Sequence, residues 1–217
     1  MLLRAAAARL VVRLIFRVLF RIRVDGGLPH AGPALVVANH QGWADAFLIA
    51  AAFPLRTRIR FLGDRSATMT VWWKRAVLRA TGLVIPIDRT RVHGDRHALS
   101  SVMTALDRRQ IVVIFAEGRV SHAEAALAPF ARGVGYLAVA SGASVVPLWV
   151  AGTAELYLGR PLTLVVGARR AVAKGSPTKA RTLALAHEIH DDLAAIALPW
   201  TEAVVSAKHM RWLTTLF

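Results

Sequence analysis

Apolar residues along this chain fall in short blocks separated by charged or glycine-containing stretches, and the blocks alternate in character. Ala34 to Ala38 (ALVVA) and Ile111 to Phe115 (IVVIF) are unbroken five-residue runs, the pattern of strands buried on both faces. Arg58 to Leu62, Gly82 to Ile87, Val145 to Val150 and Leu162 to Val166 read as further strands. Helical patterns lie between them: Ala44 to Phe53, Val71 to Ala80, His97 to Leu106, Val134 to Ala140 and Lys179 to Ala197. Strands alternating with helices predict an α/β fold, with a mostly parallel or mixed central sheet flanked by helices. Gly133 to Ala154 is uncharged and long enough to span a bilayer, but Ser141-Gly142-Ala143-Ser144 and Pro147 divide it into helix, turn and strand.

The N-terminus breaks this pattern. Met1 to Val24 has no acidic residue and six arginines: Arg4, Arg9, Arg13, Arg17, Arg21 and Arg23. On a helix, Arg9, Arg13, Arg17, Arg21 and Arg23 fall within an arc of roughly 160°. Leu10, Val11, Leu14, Ile15, Val18 and Leu19 take much of the rest. Apolar runs here never exceed four residues, so a membrane-spanning helix is excluded. The segment reads as a basic amphipathic helix in the headgroup plane of an anionic membrane. A surface helix packed on the domain and an Arg-rich transit peptide are the competing readings.

Composition sharpens the picture. The 217 residues are 55% hydrophobic, carry a net charge of +15 and include no cysteine. The length suits one domain with a full core. A disordered basic tail is excluded by the apolar content, and thiolate catalysis, disulfides and zinc–thiolate sites by the missing cysteine. A chain both apolar and basic suits a partner that is anionic and offers hydrocarbon, and suits nucleic acid less well.

Candidate chemistry clusters at strand ends. Asn39-His40-Gln41-Gly42-Trp43-Ala44-Asp45 follows the first buried strand. Five helical steps turn about 140°, so His40 and Asp45 cannot share a face of one helix. They meet if His40 sits in the loop and Asp45 in the first helical turn, forming an imidazole base oriented by a carboxylate. Ile87-Asp88-Arg89 ends another strand and offers either a strand-terminal salt bridge or a guanidinium for phosphate. Phe115-Ala116-Glu117-Gly118-Arg119 ends the strongest strand with a carboxylate beside a permissive glycine, a capping or pairing carboxylate being the competing reading. Gly133-Val134-Gly135-Tyr136-Leu137-Ala138 matches GxGxxA but lacks the strand before it that a dinucleotide site needs. His187 to Asp192 (HEIHDD) on a predicted helix reads as a solvated face, with a metal site from His187, His190 and Asp191 as the minor alternative.

Taken in order, these segments resemble the lysophosphatidic acid acyltransferase family of the glycerolipid acyltransferase superfamily. NHxxxxD at Asn39 to Asp45 looks like its first motif, GLVIPIDR at Gly82 to Arg89 the second, FAEGRVS at Phe115 to Ser121 the third and Val146-Pro147-Leu148 the fourth. The resemblance implies a glycerol-3-phosphate acyltransferase-like fold. It also implies transfer of a fatty acyl group from acyl-CoA or acyl-carrier protein to a lysophospholipid hydroxyl, most simply 1-acyl-glycerol-3-phosphate. By position, His40 is the general base and Asp45 its partner, while Asn39, Arg89, Glu117, Gly118 and Arg119 bind substrate. No metal and no cofactor are implied. Ala116 stands where the family commonly has Pro, and Arg119 follows Gly118 directly; the EGR order resembles enzymes acting on other lysolipids such as lysophosphatidylethanolamine. The expected layout is a membrane-interface helix over 1–24, an acyltransferase domain over 25–200 and a tail over 201–217, held peripherally or monotopically on the cytoplasmic face of the cell membrane. A nucleic-acid-binding domain and a non-catalytic membrane-binding domain are the alternatives from other classes.

Overall fold

The computed structural model describes residues 2–64, 81–88, 96–121, 127–199 and 207–216. The expected helix over 71–80 and Arg89 lie outside the described residues. Chain order runs α1 (Leu2–Leu19), β1 (Arg21–Asp25), β2 (Ala34–Ala38), α2 (Ala44–Ala52), β3 (Ile59–Asp64) and β4 (Val84–Ile87). It continues with α3 (Arg96–Asp107), β5 (Ile111–Phe115), α4 (Gly133–Ser141), β6 (Ser144–Ala151), β7 (Pro161–Val166), α5 (Lys179–Ala195) and a 3₁₀ turn (Arg211–Thr215).

The strands form one sheet of order β1-β7-β6-β2-β5-β3-β4. Every neighbouring pair is parallel except β6 and β7, which are antiparallel. The α/β fold with a mixed sheet is therefore as the pattern indicates. β2 lies at the centre, between β5 and β6, and all five of its residues are buried. Its pleat serves two cores. Ala34, Val36 and Ala38 join Phe16, Leu48, Ile49 and Phe53 on the α1/α2 side. Leu35 and Val37 join Val102, Leu106, Leu137, Ile189 and Leu193 on the α3/α4/α5 side. Both faces being covered is why this strand reads as a continuous apolar run. Gly135 is required by close packing: a Cβ there would lie 2.1 Å from the Thr182 carbonyl oxygen on α5. That contact accounts for the second glycine of the GxGxxA match; a Cβ at Gly133 would meet nothing within 4 Å.

The N-terminal segment corrects two expectations. The helix stops at Leu19, and Arg21 to Asp25 form an edge strand paired with β7, so Arg21 and Arg23 are not on the helix. The helix is also turned the opposite way from a surface helix packed by its apolar side, and Arg9 and Arg13 face the domain instead of an anionic leaflet. Arg9, only 2% exposed, donates from Nε to Ala50 O (3.0 Å), from Nη1 to Thr57 O (2.8 Å), and from Nη2 to Phe53 O (2.7 Å) and Pro54 O (2.9 Å). Arg13, one turn on, donates to Ala51 O and Phe53 O. Burial, with repulsion from Arg13, lowers the Arg9 pKa to about 10, which leaves it charged at neutral pH. The physical cause is α2. This nine-residue helix is apolar throughout except for Asp45, and its last carbonyls end inside the fold. Orphan carbonyls at a buried helix C-terminus need donors, and a cation there also suits the helix dipole. Two arginines four residues apart supply both. The apolar side of α1, including Leu10, Val11, Leu14, Ile15 and Val18, is left facing solvent.

The C-terminal segment packs on the domain. Leu213 is buried and its carbonyl accepts from Trp43 Nε1 at 2.9 Å. Thr214 exchanges hydrogen bonds with the backbone of Leu156. Glu155 pairs with Lys208 and Arg211, and the hydrogen bond from Lys208 holds its carboxyl below the usual range. Asp192 and Glu188 on α5 clamp Arg170, so these two acids serve packing. No metal-ligand cluster occurs among the described residues.

Replacing Arg9 with Leu removes four close donors from backbone acceptors inside the fold. The expected loss is about 3 kcal/mol, or roughly 6–12 °C in Tm for a domain of this size. Thermal unfolding of Arg9→Leu reads it directly; a shift under about 2 °C would show that those carbonyls do not depend on the guanidinium.

Candidate active site

Because β6, β2 and β5 are adjacent and parallel, their C-terminal ends lie side by side, where α/β sheets build ligand sites. The segments leaving them are Gly152-Thr153, Asn39-His40 and Ala116-Glu117. Three stretches far apart in sequence are thus brought to one sheet edge.

His40 sits in the loop after β2 and Asp45 in the first turn of α2, the arrangement their spacing requires. His40 Nδ1 lies 2.7 Å from Asp45 Oδ2. The His40 side chain is 21% exposed while that of Asp45 is fully buried, so the pair presents an accessible imidazole backed by a sequestered carboxylate. Asp45 Oδ2 also accepts from the amides of Gln41 (2.7 Å) and Gly42 (3.0 Å), and Oδ1 accepts from the Thr153 hydroxyl. Phe115, the last residue of β5, stacks on the imidazole with ring centroids 4.2 Å apart and planes 17° from parallel.

The turn after β5 holds His40 from behind. The amide of His40 donates to Glu117 Oε1 at 2.9 Å, and the amide of Ser121 donates to the His40 carbonyl at 2.7 Å. Glu117 Oε2 accepts from the Ala128 amide at 3.0 Å. Gly118 has φ +76° and donates to Phe115 O at 3.2 Å, closing the turn in a backbone conformation that favours glycine. The carboxylate of Glu117 is thus occupied by two backbone amides, a framework role in place of the expected headgroup contact.

Asn39 is corrected in the same way. It is fully buried, and its side chain makes a two-way pair with Val150, donating from Nδ2 to Val150 O (2.9 Å) and accepting at Oδ1 from Val150 N (2.7 Å). It ties β2 to β6, with both polar atoms of its side-chain amide engaged by the Val150 backbone. Arg119 is exposed in the turn, two residues from Ser121, and carries the remaining expectation for acceptor binding among the described residues.

A family model described as Acyltransferase matches residues 21–151, which include this loop, the Glu117 turn and all but β7 of the sheet. The chain belongs to the acyltransferase family. It is therefore an enzyme of acyl transfer. Among solved structures, this acyltransferase is similar to the 1-acyl-sn-glycerophosphate (LPA) acyltransferase PlsC from Thermotoga maritima. The two share 17% identity over 93% of this chain and 81% of that chain, with a TM-score of 0.65. At that identity the likeness establishes the fold.

Two parts of the site escaped the sequence. Thr153 lies beyond the fourth motif in an unremarkable Gly-Thr pair after β6, and nothing in its spacing connects it to Asp45, 108 positions earlier. The Asn39–Val150 pair escaped because an asparagine beside a histidine reads as a ligand as easily as a brace.

The framework reading of Glu117 has a kinetic consequence. Glu117→Ala releases the His40 amide, so kcat is expected to fall by about 10- to 100-fold, as for the loss of a charge-assisted hydrogen bond, with the acceptor KM within threefold. Steady-state kinetics separate the two parameters; a tenfold higher acceptor KM at unchanged kcat would restore Glu117 to the headgroup site.

Proposed function

We propose that this acyltransferase moves a fatty acyl group from a thioester, acyl-CoA or acyl-carrier protein, to the free hydroxyl of a lysophospholipid. The preferred acceptor is 1-acyl-glycerol-3-phosphate, giving phosphatidic acid. The observation that carries this reading is the His40–Asp45 pair, an accessible imidazole on a buried carboxylate at a strand-end loop. The acceptor of the PlsC relative supports the substrate class.

In this mechanism the unpaired ring nitrogen of His40 takes the proton of the acceptor hydroxyl as its oxygen attacks the thioester carbonyl. Asp45 holds Nδ1 and stabilises the imidazolium. The carbon–sulfur bond then breaks, and the departing thiolate recovers the proton from His40 to leave as a thiol. The chain has no cysteine, and no Gly-x-Ser-x-Gly elbow appears in its sequence, so direct attack is favoured over an acyl-enzyme. Arg119, and Arg89 outside the described residues, are the cations assigned to the acceptor phosphate. The Glu117-Gly118-Arg119 order favours a second acceptor, lysophosphatidylethanolamine, which an acceptor screen distinguishes.

The membrane reading follows from α1 in revised form. No helix among the described residues is long and apolar enough to cross a bilayer. The exposed stripe of Leu10, Val11, Leu14, Ile15 and Val18 supports one-sided contact with hydrocarbon, with Val18 79% exposed. Arg9 and Arg13 belong to the domain contact, so attraction to anionic lipid falls to the exposed Arg4, Arg17 and Arg21. Contact from the cytoplasmic face places the enzyme where soluble acyl thioesters reach it.

His40→Ala is expected to lower acyl transfer to every lysolipid by 10²- to 10⁴-fold while the protein stays folded. The assay is a labelled acyl thioester offered with lysophosphatidate, lysophosphatidylethanolamine and other acceptors; near-normal turnover sinks the mechanism. For the membrane, the double change Leu14→Asp and Val18→Asp is expected to weaken binding to both neutral and anionic vesicles by roughly 100-fold. Co-sedimentation at low and high salt measures it. Unchanged binding of the double variant, or binding lost in salt alone, would return the contact to the arginines.

A further inference from the structure

We propose that Thr153 is a positioning residue for the catalytic pair, fixing the carboxylate of Asp45 so that Asp45 fixes His40. The inference rests on the general-base reading above and extends it to a residue just beyond the segment matched by the family model.

Asp45 has two carboxylate oxygens. Oδ2 is surrounded by three donors on its own loop and helix: the amides of Gln41 and Gly42, and Nδ1 of His40. Those contacts leave rotation about the side chain controlled from one oxygen. The contact on Oδ1 comes from Thr153, whose hydroxyl donates to it from the segment following β6. A buried carboxylate held by both oxygens from two separate elements cannot swing away from the imidazole.

The placement of Thr153 is built. Asn39, next to His40, grips both backbone groups of Val150 near the end of β6, three residues before Thr153. Gly42 lets the two segments touch: a Cβ at that position would lie 2.7 Å from the Thr153 carbonyl oxygen. Thr153 is itself 2% exposed, so water does not compete for its hydroxyl.

Proton counting extends the arrangement by one residue. A threonine hydroxyl has one proton, and the ionised carboxylate is an acceptor only. With that proton on Asp45, the hydroxyl serves Gln41 as an acceptor. Gln41 is 1% exposed, its amide oxygen lies 3.4 Å from the hydroxyl, and its Nε2 has no partner among the described residues. A half-turn of the amide, which exchanges two groups of nearly equal size, brings one N–H of Nε2 to the hydroxyl. The order is then Gln41 to Thr153 to Asp45, with His40 bonded to the far oxygen.

The test compares Thr153→Ser, Thr153→Ala and Thr153→Val in the full chain, alongside His40→Ala. Ser and Ala both lack the methyl group and differ only in the hydroxyl, so their contrast isolates the hydrogen bond from packing; Val keeps the shape. The expected result is kcat within threefold of the parent for Ser and lower by about 10- to 100-fold for Ala and Val. KM for thioester and acceptor should stay within threefold, with kcat referred to folded protein by circular dichroism at the assay temperature. Ala or Val retaining the parental kcat while His40→Ala is inactive would overturn this inference alone. Ser as impaired as Ala would do the same, because the hydroxyl would then not be the active element. Near-normal turnover by His40→Ala would overturn the general-base reading, and this inference with it.

Discussion

Asp45 is a charged group taken entirely out of water, and most of the geometry around the site can be traced to the need to satisfy it. Burying an ion costs several kcal/mol unless its acceptor positions are filled. Here the donors are two loop amides, an imidazole and a hydroxyl. They come from the loop after β2 and from the segment after β6, which must therefore converge. The sheet order makes that possible, because β6 and β2 are parallel neighbours and end at the same edge. The carboxylate that orients His40 in the proposed mechanism also ties two parts of the chain together, so the proposed catalysis and local order rest on one group.

A second constraint acts at the other end of the same helix. The C-terminal carbonyls of α2 end inside the fold, and Arg9 and Arg13 cap them. This turns α1 inside out relative to an ordinary surface helix, with Arg9 and Arg13 inward and a stripe of aliphatic side chains outward. The helix that offers an apolar face to its surroundings is therefore fastened to the helix that carries Asp45. The C-terminal segment adds a brace on the same loop through Trp43 and the Leu213 carbonyl.

Much of the site was legible from local pattern. Unbroken apolar runs located β2 and β5, since strands covered on both faces carry no polar alternation. A histidine and an aspartate five residues apart across a loop–helix junction made the pair a candidate, although His187 and Asp192 share that spacing within one helix. The roles of Asn39 and Glu117 were not legible, because both have donor or acceptor groups suited equally to a ligand and to backbone. Only their partners, Val150 for one and His40 and Ala128 for the other, separate these uses. The arginines of α1 were legible as a helical stripe but not as a direction, because a moment along a helix does not say which side meets protein.

By itself the sequence determined the α/β class, the strand-end motifs and the exclusion of cysteine chemistry, all of which depend on residue type and short spacing. The tertiary structure alone decided which way α1 faces, that its helix gives way to an edge strand at Arg21, and that Thr153 meets Asp45. Those outcomes depend on partners tens of residues or more away in the chain. Long-range contact, set by sheet order and by where buried carbonyls and carboxylates need donors, leaves no periodic trace in the residues that make it.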